Sequence, residues 1–158
     1  MNSKITVAPI TKSIRVKATP ERAFKVFTDN SITWWPPTYM IGTSPMKAIV
    51  LEPRVGGRWF EIGEDGSQCQ WGDVLAWDPP GRLVLAWRIG MDWQFDPSLL
   101  TEVEVTFKDV GDGVTEVKIV HSKFENYGPD AEKAAQIFDG WSANLARFAE
   151  VVHGRPPQ

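Results

Sequence analysis

From Met46 to Lys123 apolar and polar side chains alternate over short runs separated by turn residues. From Ala134 to Val152 the apolar positions recur instead at spacings of three and four. The first period is that of a half-buried antiparallel sheet and the second that of a helix with one apolar face. Strands are predicted over 47–52, 58–63, 67–77, 82–89, 100–109 and 114–123. In the fourth, Leu83, Leu85, Trp87 and Ile89 share a face; in the fifth, Val103, Val105 and Phe107; in the last, Thr115, Val117, Ile119 and His121. Glu64, Asp65 and Gly66, then Asp78, Pro79, Pro80 and Gly81, then Gly111, Asp112 and Gly113 supply turn chemistry between them. Ala134, Phe138, Trp141, Leu145, Phe148 and Val152 predict one helix of about six turns, stopped by Gly154, Pro156 and Pro157.

The segment before Met46 predicts a strand over 10–17. A short helix follows, with Thr19 as N-cap, Pro20 at its first position and Ala23, Phe24, Val26 and Phe27 on its apolar face. Ser31 to Ser44 contains Trp34, Trp35, Pro36 and Pro37, which predicts one further helical turn and then a loop over an apolar surface. A sheet with one apolar face must cover it, and the terminal helix is the only partner long enough. The fold class predicted is α+β: a curved antiparallel sheet around a long C-terminal helix, with two short helices after the first strand and a cavity between sheet and helix. With no repeat or linker, residues 1–158 read as one domain with an ordered core over about 10–152.

Composition narrows the function. A net charge of −3 over 158 residues gives no footprint for nucleic acid. There is no basic cluster for an anionic membrane, no apolar run of roughly 20 residues to span one and no apolar signal-peptide core at the N-terminus. Cytoplasmic is the expected location. The single cysteine, Cys69, excludes an internal disulfide and a Cys-based metal cluster. Eight tryptophans stand beside eight phenylalanines and two tyrosines. Indoles in that number either pack a core or line a cavity, where the N–H finds a partner.

Four segments carry a family resemblance. They are Thr19 to Phe24, Pro53 to Trp59, Gly72 to Val84 running on to Trp87, and Gly140, Trp141, Leu145 and Phe148. With them the chain resembles the helix-grip fold of the START and birch-pollen-allergen-like superfamily, and within it the homologues of the heat-shock chaperone ATPase activator. The resemblance spans Ile10 to Val152. Two places depart from the family pattern: Glu61 stands at a usually apolar strand position, and the loop from Gly90 to Leu99 is unusually aromatic. The resemblance leaves open a homodimer, a chaperone partner and a role in stress response. Chaperone activators of that family carry a further N-terminal domain, which is not expected here.

Candidate chemistry is sparse. His121 shares a face with Val117 and Ile119, and reads either as a buried neutral histidine with a polar neighbour or as a ligand partner and general base. Glu61 shares parity with Trp59; if Trp59 faces inward, so does the carboxylate. Cys69 has no histidine nearby and His153 sits at the helix end, so no Cys-His pair is supported. No spacing suggests zinc. Gly56 and Gly57 precede a strand, not a helix, and make no phosphate cradle. Asp73 reads as an outer-face residue.

The first functional expectation is therefore a binder of a small apolar or aromatic molecule. Its expected site residues are Trp35, Trp59, Glu61, Trp71, Trp87, Phe107, His121, Phe138 and Trp141, with no metal and no cofactor. The alternatives are a co-chaperone-like interaction module and a cyclase- or hydrolase-like enzyme using Glu61 and His121 as an acid–base pair.

Overall fold

The computed structural model describes residues 7–154, so Pro156 and Pro157, and the sequence up to Thr6, lie outside the described residues. The strands are β1 (Ile10–Val16), β2 (Met46–Leu51), β3 (Arg58–Gly63), β4 (Gln68–Asp78), β5 (Arg82–Trp87), β6 (Thr101–Gly111) and β7 (Val114–Ser122). They form a single sheet in the order β1-β7-β6-β5-β4-β3-β2 with every neighbour antiparallel. The chain thus runs down the sheet hairpin by hairpin from β2, and β1 adds to the far edge beside the last strand.

Inward residues of β5, β6 and β7 are the ones the alternation predicts. Leu83, Leu85, Val103, Val105, Val117 and Ile119 are all buried. Gly72 in β4 pairs with Trp87, and a Cβ there would overlap the Ala86 carbonyl oxygen, so only glycine lets these strands close. In β3 the alternation is blurred because Trp59, Phe60 and Glu61 are all buried. A register shift between Trp59 and Phe60 lies there, and the Arg58 guanidinium covers the Phe60 ring 4.3 Å from its centroid. Trp59 and Glu61 face the interior.

Helix α1 (Pro20–Asp29) begins with the Thr19 hydroxyl accepting the Arg22 N–H, and α2 (Ser31–Trp34) follows directly. They turn Phe24, Phe27 and Trp34 into the core. At the C-terminal end the predicted six-turn helix is two pieces. A 3-10 segment (Phe124–Asp130) leads into α3 (Ala131–Ile137), and α4 (Trp141–Val152) is separate. The chain leaves helical geometry at Phe138, Asp139 and Gly140 because Asp and Gly are poor helix interiors. Gly140 serves a second purpose: a Cβ there would press to 3.2 Å on the Tyr39 ring. The three-and-four spacing survives the break, which is why sequence periodicity does not reveal it. α4 packs against β1, α1 and α2, and buries Trp141, Asn144, Leu145, Phe148 and Val152.

Candidate functional site

Between the sheet, the α3–α4 break and the loops after α2 and β5 lies a cavity of about 70 Å³. Its wall is made by Trp35, Tyr39, Met40, Ile41, Trp71, Trp87, Ile89, Trp93, Ile137, Phe138, Gly140, Trp141 and Asn144. Roughly 10–15 Å³ on this scale holds one water, so the space has room for several waters or a small organic molecule.

Three of the indoles around it are held by their N–H groups. Trp35 donates to the Tyr39 carbonyl at 2.8 Å, Trp71 to Glu61 Oε1 at 2.8 Å and Trp141 to His121 Nδ1 at 3.2 Å. A ring fixed by both packing and a hydrogen bond cannot easily swing to fill a void. Trp35 lies 5.1 Å from Trp71 and 5.8 Å from Trp141, centroid to centroid, and Trp87 lies 6.1 Å from Trp141.

The two titratable residues singled out from sequence are the acceptors of this arrangement. Glu61 is buried and accepts the Ile41 N–H at 2.6 Å and the Gly42 N–H at 3.3 Å besides the Trp71 indole. One carboxylate therefore holds the loop after α2 onto β3. His121 is fully buried. Because an indole nitrogen only donates, Nδ1 is the acceptor and the ring carries its proton on Nε2. That proton goes to Thr101 Oγ1 at 2.9 Å, and the Thr101 hydroxyl donates to the Trp87 carbonyl. Burial lowers the His121 pKa to about 3. The imidazole is neutral, with its lone pair already engaged by Trp141, and so has no free base to offer. Glu61 and His121 bond to different partners and neither lines the cavity.

The other expected residues divide. Trp35, Trp71, Trp87, Phe138 and Trp141 line the cavity. Trp59 lines a separate void of about 10 Å³ behind it, and Phe107 packs on Phe24 and Phe27 in the solid part of the core. Cys69 pairs with Glu61 across β3 and β4; burial first, then the Glu61 and Asp65 charges, raise its thiol pKa and make it a poor nucleophile. Among the described residues no group of three His, Cys, Asp or Glu side chains could hold a metal ion. No helix among them is long and apolar enough to cross a membrane.

Trp93 comes from the β5–β6 loop, with φ of 59°, and its ring packs 5.2 Å from Phe138. Arg88 anchors that loop: it pairs with Asp73 at 2.6 Å and donates to the Pro97 and Leu99 carbonyls. Tyr127 donates to the Ile89 carbonyl, and burial raises its pKa. Sequence reasoning missed Tyr39, Met40, Ile41, Ile89, Trp93, Ile137, Gly140 and Asn144 as wall residues. Asn144 carried a signal, being the polar residue on the stripe of Trp141, Leu145 and Phe148.

A seven-stranded sheet curled around a terminal helix, with an indole-lined hollow between them, is a helix-grip architecture. The family model described as Activator of Hsp90 ATPase homolog 1-like protein matches residues 17–153, and the chain belongs to that family. Among solved structures it is similar to an anthrahydroquino-gamma-pyrone synthase, Txn09, at 39% identity over 92% of this chain and 97% of that one, with a TM-score of 0.66. It is also similar to the self-sacrificing resistance protein CalC from Micromonospora echinospora, at 30% identity over 93% and 95% of the two chains, TM-score 0.72. The Aha1 dimer from Colwellia psychrerythraea shares the fold at 19% identity, over 92% and 96% of the chains, TM-score 0.62. Comparison with curated proteins gives no match.

Proposed function

We propose that the protein binds a small planar aromatic molecule in the cavity between sheet and terminal helix. The observation that carries this reading is the set of three indoles tethered around an open space by Tyr39, Glu61 and His121. A binding site built this way is pre-organised, so its occupant gains ring contacts and apolar burial without ordering the walls. Burial is worth roughly 25 cal/mol per Å² of apolar surface, enough to hold a flat molecule without a charged anchor. The synthase at 39% identity, named for an aromatic polycyclic product, supports an aromatic occupant.

That same similarity favours a second reading, in which the protein closes a ring on the molecule it binds. The titratable side chain in the wall is the Tyr39 phenol, so such a reaction would rest mainly on holding the substrate in a reactive conformation. An interaction module finds less support, since the large apolar side chains exposed among the described residues are Val55 and Ile137 alone.

Isothermal titration with naphthalene, alongside native mass spectrometry of the protein as purified, tests the binding reading. Saturable binding at a single site, weakened by Trp141→Ala, is expected. Absence of binding up to the solubility limit, with no co-purified molecule, overturns it.

A further inference from the structure

Three buried side-chain polar atoms lack a hydrogen-bond partner among the described residues: Ser31 Oγ, Trp87 Nε1 and Asn144 Oδ1. All three belong to residues lining one of the two voids. An orphaned buried polar group is destabilising unless something satisfies it, so each needs a reason.

Two have reasons that involve no ligand. Ser31 lines the void of about 10 Å³, whose remaining wall is aliphatic and aromatic and has room for about one water. The Trp87 side chain acts on the Tyr127 hydroxyl as a donor would, opposing the upward shift of that phenol.

Asn144 is different. It is buried on the apolar face of α4, one turn beyond Trp141, in the wall of the larger cavity. Its side-chain Oδ1 accepts no hydrogen bond among the described residues. The same wall holds no Asp, Glu, Lys, Arg or His. A half-turn of the amide exchanges oxygen and nitrogen with little change of shape, so Asn144 can present an acceptor or a donor to the cavity.

We propose that Asn144 selects the occupant of the cavity by hydrogen bonding to it, and that the occupant is an uncharged aromatic molecule bearing a hydroxyl group. This rests on the binding reading above. A hydroxyl both donates and accepts, which matches a carboxamide in either orientation. A carboxylate or ammonium group would enter a wall with no counter-charge and suffer the desolvation cost of a buried ion. An aromatic hydrocarbon would fit the indoles and leave the amide oxygen orphaned. Asn144 is thus a polar group by which a largely apolar hollow distinguishes among flat molecules of similar size.

The test compares 2-naphthol with naphthalene on the whole chain and on Asn144→Leu. The wild-type protein should bind 2-naphthol about ten-fold or more tightly than naphthalene. Asn144→Leu should lose that preference and bind the two probes about equally. In the wild-type protein the Asn144 side-chain amide NMR signal should shift on adding 2-naphthol, a readout that needs no variant. Equal binding of the two probes, or a preference that survives Asn144→Leu, or an unmoved amide signal, overturns the proposal and leaves the binding reading standing. Failure of the wild-type protein to bind either probe removes both.

Discussion

Around Phe24, Phe27, Phe107 and Phe148 the rings meet at centroid distances of 5.2–5.7 Å, and around Trp35, Trp71, Trp87 and Trp141 at 5.1–6.1 Å. The spacings are nearly the same, yet the first group closes on itself and the second borders the larger cavity. The difference lies in the polar atom. A phenyl ring settles wherever dispersion contacts are best, so phenylalanines collapse onto one another. An indole must also satisfy its N–H, and Tyr39, Glu61 and His121 hold three of them in place. Space persists beside these three tethered indoles, while the phenylalanines close on one another.

The largest effect should come from the solid end. Phe148→Ala removes a fully buried ring from a packed cluster and should cost about 3–5 kcal/mol, read by urea denaturation. If it cost no more than loss of a cavity ring, the contrast between the two ends would be empty. Next comes acid. The folded His121 pKa is about 3 against an ordinary 6.5, so the unfolded chain takes up that proton first as pH falls. Stability from this group is complete above about pH 6.5 and is lost progressively toward pH 3, at roughly 1.4 kcal/mol per pH unit. Between pH 6.5 and 4.5 the loss should be about 2–3 kcal/mol, and His121→Gln should flatten that slope in a series of denaturation curves.

Glu61→Gln keeps one carbonyl acceptor but turns an amide NH2 donor toward a site occupied by N–H donors. It should cost about 1–3 kcal/mol and speed hydrogen exchange at the Ile41 and Gly42 amides. Unchanged exchange would mean that the loop after α2 is held by something other than this carboxylate. The smallest effect is expected at Trp93, which packs on Phe138 and Tyr39 from a loop. Trp93→Gly suits the positive φ there and should change stability by less than about 1 kcal/mol, while naphthalene enters and leaves faster.

The sheet and most of its inward residues were legible because one face is buried and the other wet, so polarity alternates visibly along β6 and β7. The break before α4 was not legible. Phe138 and Trp141 keep helical spacing across Asp139 and Gly140, and the reason for the break is partly Tyr39, distant in sequence. Glu61 could be placed only relative to Trp59, since a buried Phe60 obscures the parity. Its purpose was hidden altogether: its donors Ile41, Gly42 and Trp71 come from other segments, and sequence spacing carries no trace of them. Glu61 and His121 stood out because a polar side chain in an apolar pattern is conspicuous, and what they do here is position indoles. Asn144 stood on an apolar stripe in plain view, but a single amide among hydrophobes gives no direction until the hollow beside it is known.

The pairing of β1 with β7 has a consequence for how the molecule is made. Ile10 must find His121 and Val16 must find Thr115, so β1 waits for β7. Until then its edge is unpaired and the histidine that holds Trp141 has no completed sheet around it. Completion of the sheet therefore depends on contact between segments far apart in the chain.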